Sequence, residues 1–593
     1  MKELRYLNPY FVKYKYHFLG GIIITIVAQI FSLYTPELIG ESITALQSHQ
    51  KSGTADISSI KSLLLENILW IILTTFIAGI LTFLMRQTLI VMSRHVEYDL
   101  KNEVFKQYEN LTQNFYKQNR TGDLMNRISE DVGRVRMYVG PAVMYTINTI
   151  IRFAVVIYYM CSSTPENPMV GLKLTLFTLL PLPILAYFIF RLSTEINKKS
   201  TIFQQNLSAL SSFTQEIFSG IRVIKAYSIE DKKQEDFEKL SMESNEKSLK
   251  LAKVQAFFGP LMLLLIGTSN LLVICLGGLM YVNGSITDIG VIAKFILYVN
   301  MLVWPVASIG WVSSLIQEAE ASQKRINEFL KIEPEIQNDN TAPMQFEGNI
   351  KFNNVSLVYE DTNIKALDDI SFSVNKGETL AIIGRTGSGK STILSLISRL
   401  YDPTLGNITL DGIQLPEANL ENLRDSIGVV PQEAFLFSDS IKNNIKFGKE
   451  NATDDEVIEA AKNAVVHDNI IDFKDQYETI LGERGITLSG GQKQRVSIAR
   501  AVIKNPKILL LDDCLSAVDT ETEEMILNNL EMICKDKTTI IVSHRVSSAK
   551  NADKIIILDN GKIVQEGTHN QLVNEEGYYS ALYLKQIAEK EML

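Results

Sequence analysis

Gly384-Arg385-Thr386-Gly387-Ser388-Gly389-Lys390-Ser391 follows the apolar run Thr379 to Ile383 and precedes a helical pattern that begins near Thr392. Strand, glycine loop and helix stand in the order a phosphate-binding loop requires. The glycines let successive backbone N–H groups turn toward nucleotide phosphates, Lys390 can neutralise the β and γ groups, and Ser391 can hold Mg²⁺. All of Gly384 to Thr392 is therefore expected at bound ATP. A chance glycine turn would lack this strand-to-helix setting, so the surrounding fold should be an α/β P-loop domain.

Downstream, Ile508-Leu509-Leu510-Leu511-Asp512 reads as a short buried strand ending in a carboxylate, which suits the second Mg²⁺-positioning residue of a P-loop enzyme. Between the two motifs lies Leu488-Ser489-Gly490-Gly491-Gln492, just ahead of the helix-like stretch Lys493 to Val502. Its serine, glycines and helix N-terminus offer hydrogen-bond donors to an anion.

This combination resembles the nucleotide-binding domain of ATP-binding cassette proteins. The resemblance implies that Ser489, Gly490, Gly491 and Gln492 form the signature that reaches across a dimer to the partner's ATP. It implies that Tyr359 stacks on adenine, that Gln432 senses Mg²⁺ and the transport domain, and that His544 is the γ-phosphate switch. Asp519, in Ser516-Ala517-Val518-Asp519, resembles the loop linking the two ATP sites. One position departs from the pattern. The family normally follows the aspartate equivalent to Asp512 with a glutamate that polarises the attacking water, and here Asp513 stands in its place. Aspartate is one methylene shorter, and misplacing a reacting group by about 1 Å can cost on the order of 10²-fold in rate. Asp513 is expected to be a poor base, though not an absent one.

Six apolar stretches precede residue 315: about Phe18 to Leu38, Ile68 to Met92, Val139 to Met160, Leu172 to Phe190, Phe257 to Val282 and Ile289 to Val312. Each is long enough to cross a hydrocarbon core, which takes roughly 20 helical residues. Pro181, Pro183, Pro260 and Pro305 fall inside them, as membrane bundles tolerate. Lys2, Arg5, Lys13 and Lys15 against the single acid Glu3 place the amino terminus in the cytoplasm, and an even number of spans returns the chain there. The first span is long for a signal peptide and lacks an evident cleavage site, so it should be retained.

The expected architecture is a membrane α-helical bundle of six transmembrane helices, of the exporter type, fused to a cytoplasmic α/β P-loop nucleotide-binding domain. The boundaries are read as 1–330 for the membrane domain, 331–344 for a linker and 345–593 for the cassette. Long polar segments, about Ser93 to Arg136 and Arg191 to Gln255, should be intracellular. The resemblance implies docking regions at Thr121 through Arg136 and at Ala226 through Phe237. One membrane domain and one cassette make half of a transporter in the cell membrane, needing a second half-transporter. The shortened Asp513 favours a heterodimer in which this chain carries the slow site, over a homodimer with slow ATPase.

Composition agrees. Hydrophobic residues make up 46% of the chain, and the net charge of −9 gives no basic footprint for nucleic acid. Cys161, Cys275, Cys514 and Cys534 have neither metal-ligand spacing nor the look of a disulfide framework. Arg86, Arg152 and Lys294 lie inside apolar spans, where charge is costly and marks either a substrate cavity or an interhelical ion pair. The expected substrate is a small amphipathic molecule, drug-like or lipid-like and anionic, moved by ATP hydrolysis with Mg²⁺. A lipid flippase of the same fold is the main alternative. An ATP-gated channel lacks a regulatory insertion, a soluble cassette ATPase would lack the spans, and an importer usually divides these domains between chains.

Overall fold

A computed structural model describes residues 2–52, 57–164, 167–482, 488–516 and 518–591. The chain divides into two compact units, one of residues 1–109 and 121–332, the other of residues 110–120 and 333–593.

Among the described residues, six helical runs are apolar enough to cross a membrane: Lys15–Gln50, Ile60–Asn110, Thr121–Ser162, Pro168–Ser219, Glu230–Val282 and Gly290–Leu330. All six expected spans are present, and each helix outruns its apolar stretch. The second covers 51 residues, about 77 Å at 1.5 Å per residue, against a hydrocarbon core of about 30 Å. Leu263 and Val282 are about four-fifths exposed, and only 11% of the apolar window of the second span is buried within the chain. Such surface is stable only against lipid or other apolar helices.

Proline shapes these helices where the sequence placed it. The fourth run breaks at Leu180, between Pro168–Leu179 and Pro181–Ser219, because Pro181 and Pro183 cannot donate to the preceding turn. Pro36 and Pro305 are accommodated inside continuous helices. Close helix approach uses glycine: a Cβ on Gly310 would meet the Ser193 Cβ at 2.9 Å, and one on Gly40 would meet the Lys294 Cε at 2.2 Å.

Short helices lie beside the two segments named as docking regions, with different bounds. Thr121 through Arg136 is part of the third long run. It is the preceding segment, residues 110–120 with the helix Gln113–Gln118, that groups with the second unit. Farther on, Ile221–Tyr227 forms the short helix and ends at Ser228 in the left-handed region, φ 52°, before Glu230–Ala256 begins. The family resemblance marked both neighbourhoods, whereas the helix breaks themselves depend on local caps.

The intramembrane charges are handled separately. Lys294 pairs with Glu37, which also accepts a hydrogen bond from the Tyr298 hydroxyl. Arg152 Nε donates to Gln29 Oε1 at 2.7 Å, and Gln29 Nε2 donates to Asn148 Oδ1 at 3.0 Å. Arg86 is exposed. These three cations do not form one cluster, and Lys294 is neutralised by a residue of the first span.

The second unit is built on two sheets. A six-stranded sheet runs in the order Lys562–Gly567, Lys554–Asp559, Thr379–Gly384, Thr538–Ser543, Ile508–Asp512, Ile427–Val430, parallel except for the first edge strand. An antiparallel four-stranded sheet orders Ile364–Val374, Ile350–Tyr359, Leu405–Leu410 and Ile413–Gln414. Both bury continuous apolar faces, and the central strand Leu380 to Ile383 is at most 1% exposed.

Removing one partner of the buried pair isolates a charge, so Lys294→Ala is expected to destabilise the membrane unit by about 3 kcal/mol. Melting temperatures in detergent check this: the double variant Glu37→Gln/Lys294→Met should recover most of the loss, and no recovery would refute a compensated pair.

Candidate functional site

Strands Thr379–Gly384, Ile508–Asp512 and Thr538–Ser543 are parallel neighbours, so their carboxyl ends place Gly384, Asp512 and Ser543 on one rim. Ligands bind at that rim in open α/β sheets. The loop that leaves Gly384 requires glycine for two reasons. Gly387 and Gly389 have φ of 80° and 98°, and a Cβ on Gly389 would sit 2.3 Å from the Ala366 carbonyl oxygen. Helix Lys390–Ile397 begins at once, which directs its first N–H groups back toward the loop.

Lys390 is 6% exposed, and its Nζ donates to the carbonyl oxygens of Gly384 at 3.0 Å and Arg385 at 2.8 Å. Burial pulls its pKa down, while the nearby carboxylates of Asp513 and Asp512 oppose that shift. Ser391 Oγ donates to Asp512 Oδ1 at 2.9 Å. Burial and the charge of Asp513 push the Asp512 carboxyl above its ordinary range, and the Ser391 hydroxyl works against them. A site that crowds two carboxylates beside a buried ammonium favours a bound cation.

These groups border a cavity of about 560 Å³, within the size range of small-molecule sites. Tyr359, Thr386, Gly387, Gly389, Lys390, Ser391, Thr392, Gln432, Asp512, Asp513 and His544 all line it. The fold thus brings together residues spread from 359 to 544. Tyr359 is fixed by its hydroxyl, 3.1 Å from Thr392 Oγ1, and by an edge contact with Tyr401 at 5.3 Å between centroids. Gly384, Arg385 and Ser388 belong to the loop but are not on the cavity wall; the Arg385 guanidinium lies 5.8 Å from the Tyr578 ring centroid.

Asp513 has φ 43°, a left-handed conformation that aspartate adopts more readily than most side chains. Its amide donates to the Val542 carbonyl at 2.9 Å, tying it to the strand that leads to His544. Cys514, next in the chain, is fully enclosed and burial pushes its thiol pKa up to about 12, which makes it an inert packing residue. All four cysteines are free.

The residues with oxygens to offer Mg²⁺ are Ser391, Asp512 and Gln432, all of which border the same cavity. Few protein oxygens with room for phosphate and water suit Mg²⁺, which seldom takes an all-protein cage. The donor set fits the ion.

Ser489, Gly490, Gly491 and Gln492 do not border this cavity. They open helix Gly490–Ile503 with a capping box, Ser489 Oγ accepting from the Gln492 amide at 3.3 Å and Gln492 Oε1 from the Ser489 amide at 3.0 Å. Asp519 caps helix Thr520–Ile533 through the Thr522 amide at 2.9 Å, and that bond holds its carboxyl below the usual range. Ala517 lies outside the described residues.

Several lining residues were missed from sequence: Ile364, Lys365, Ala366, Val542, Asn560 and Gly561. Asn560-Gly561 between two strand-like runs is a hairpin signal that could have found the last two. Lys117 was missed as well. Its ammonium lies 4.6 Å from the Tyr359 ring centroid and 4.9 Å from that of Tyr401, and no local pattern announces a contact across more than 200 residues.

Comparison with known proteins agrees with this geometry. Residues 367–516 match the family model described as ABC transporter, and residues 18–306 match that of the ABC transporter transmembrane region. The Escherichia coli multidrug resistance-like ATP-binding protein MdlA is 34% identical over 98% of this chain and 96% of its own length. The probable multidrug resistance ABC transporter ATP-binding/permease protein YheI of Bacillus subtilis is 34% identical over 98% and 97%. Among solved structures, a bacterial Atm1-family ABC exporter with ATP bound superposes with a TM-score of 0.81 at 25% identity, covering 96% of this chain and 99% of that one.

Gly389→Ala and Lys390→Ala should each weaken ATP binding at least tenfold, about 1.4 kcal/mol. Equilibrium titration with a fluorescent ATP analogue checks this; unchanged affinity in both would remove the loop from the site.

Proposed function

The chain belongs to the ATP-binding cassette transporters, and on that premise we propose that it is the slow-site half of a heterodimeric exporter of anionic amphipathic molecules. As a member of this family it is a membrane-spanning ATPase whose hydrolysis is coupled to transport. The observation that carries the asymmetric reading is Asp513, which occupies the cavity wall beside Asp512 with a side chain too short for the usual base.

In this reading ATP enters the cavity with its adenine on Tyr359 and its phosphates along Gly387 to Thr392. Lys390 leaves the carbonyls of Gly384 and Arg385 for the β- and γ-phosphates, so binding trades neutral acceptors for anionic ones. Ser391, Asp512 and Gln432 would hold Mg²⁺, which neutralises charge on the phosphates. Asp513 then faces the γ-phosphate from a retracted position, binding tolerates the retraction, and in-line attack by water does not. ATP therefore resides long at this site. Ser489 and Gly491, outside this cavity, complete the partner's faster site.

Transport follows if two cassettes closed on ATP favour an outward-turned bundle and hydrolysis at the faster site releases it. Shifting such an equilibrium from 1:99 to 99:1 takes about 10⁴ in relative affinity, or 5.5 kcal/mol, and ATP must supply it by binding the closed state better. The substrate charge is read from Arg152. Its guanidinium sits in the third span with an amide as hydrogen-bond partner, whereas Lys294 already has Glu37. An intramembrane cation with no carboxylate partner among the described residues is suited to an anion carried on an apolar molecule.

A homodimer with slow ATPase is the second reading, favoured by His544, which is retained and lines the cavity. Turnover of this chain purified alone in lipid, beside the partner that co-purifies with it, separates the two. The asymmetric reading expects negligible turnover alone, raised at least tenfold by Asp513→Glu; rapid turnover alone, with no gain from Asp513→Glu, would sink it. For the substrate, Arg152→Ala should reduce vesicle uptake of anionic amphiphiles several-fold and spare neutral ones, and equal uptake of both would refute the charge assignment.

A further inference from the structure

His544 reaches the cavity from the end of strand Thr538–Ser543, and the residues that follow it form a loop rather than more strand. Two side chains from distant elements grip that loop. Gln586, on the final helix Tyr578–Glu591, donates through Nε2 to the His544 carbonyl oxygen at 3.1 Å and accepts from the Val546 amide at 2.9 Å. One carboxamide thereby satisfies the backbone on both sides of Arg545, as a neighbouring strand would. Glu523, on helix Thr520–Ile533, is 2% exposed. One of its oxygens accepts from Ser547 Oγ at 2.9 Å and Ser548 Oγ at 2.7 Å, and the other accepts from the Arg545 guanidinium.

The grip extends to the loop that follows Asp513. Arg545 Nη2 also donates to the Ser516 carbonyl oxygen at 3.2 Å, and Glu523 lies in the first turn of the helix capped by Asp519. A carboxylate withdrawn from water gains little net stability from its partners, and apolar replacements of buried ion pairs are often no less stable. What this one supplies is a fixed geometry: three donors set the direction of the loop after His544 and join it to the helix capped by Asp519.

We propose that Glu523 and Gln586 are positioning residues for ATP hydrolysis, holding His544 at the nucleotide cavity and linking its loop to Ser516 and to the helix that Asp519 caps. The inference rests on the reading of His544 as a γ-phosphate contact. Neither residue lines the cavity, so their effect passes through His544. In this way the last helix of the chain takes part in turnover without touching nucleotide.

The test uses the transporter reconstituted with its co-purifying partner, with native Asp513 and with Asp513→Glu, so that this chain's own site is read whether or not the native base is slow. Gln586→Leu removes both hydrogen bonds at a site near the chain end, and Glu523→Gln keeps shape while removing charge. In the background where His544→Ala lowers kcat, each variant should lower kcat about tenfold with KM for ATP within twofold of the parent, and Gln586→Leu should leave the melting temperature unchanged. Adding Gln586→Leu to His544→Ala should cost nothing further, because the two act through one group. A purely structural role would instead lower the melting temperature of Gln586→Leu or add its loss in full to that of His544→Ala, and either result overturns the proposal. If His544→Ala has no effect in either background, the reading of His544 fails and the positioning role falls with it. If His544→Ala is effective and Gln586→Leu and Glu523→Gln are silent, the positioning role alone fails.

Discussion

No Cβ can be placed on Gly384 or Gly389 without striking a backbone carbonyl, that of Leu558 at 2.1 Å and that of Ala366 at 2.3 Å. The phosphate loop is wedged between the end of one strand and the edge of the antiparallel sheet, and its glycines are what allow the backbone to come so close. Much of the second unit serves this contact. The turn at Asn560-Gly561 closes over it, with the Gly561 amide donating to the Ser388 carbonyl at 3.2 Å and the Asp368 amide to the Gly561 carbonyl at 2.9 Å. The helix that starts at Lys390 then has only one direction in which to run, and Ser391 meets Asp512 as a consequence.

The membrane unit answers a different constraint, that charge in an apolar span needs a partner. Lys294 and Glu37 satisfy each other and tie the sixth span to the first. Arg152 has amide neighbours in their place. This difference between two cations of the same bundle separates a structural pair from a candidate contact for transported anions.

The fold class was legible because both of its signals are local. Strand, glycine loop and helix are contiguous from Thr379 to Thr392, and six long apolar runs announce themselves by length. The cavity residues Tyr359, Gln432, Asp513 and His544 could be named through a family pattern, and the fold does bring them to one wall. What the sequence hid was pairing at long range. Nothing near Lys294 points to Glu37, nothing near Tyr359 points to Lys117, and Glu523 and Gln586 look like ordinary helix-surface residues. Hydrophobic periodicity gives the face a residue occupies but not the element that will lie against it. The short helices Gln113–Gln118 and Ile221–Tyr227 fall beside the segments named from the resemblance for a related reason, since a family pattern gives a neighbourhood but not where a helix breaks.

Asp513 is where local and global readings meet. It keeps a carboxylate beside Lys390 and Asp512 and shortens it by one methylene, so binding and hydrolysis are expected to separate at this site. Photolabelling with an azido-ATP in the purified, vanadate-inhibited transporter reads that separation directly. The account expects this chain to retain the triphosphate while the partner traps the diphosphate. Equal trapping of diphosphate in both halves would contradict it.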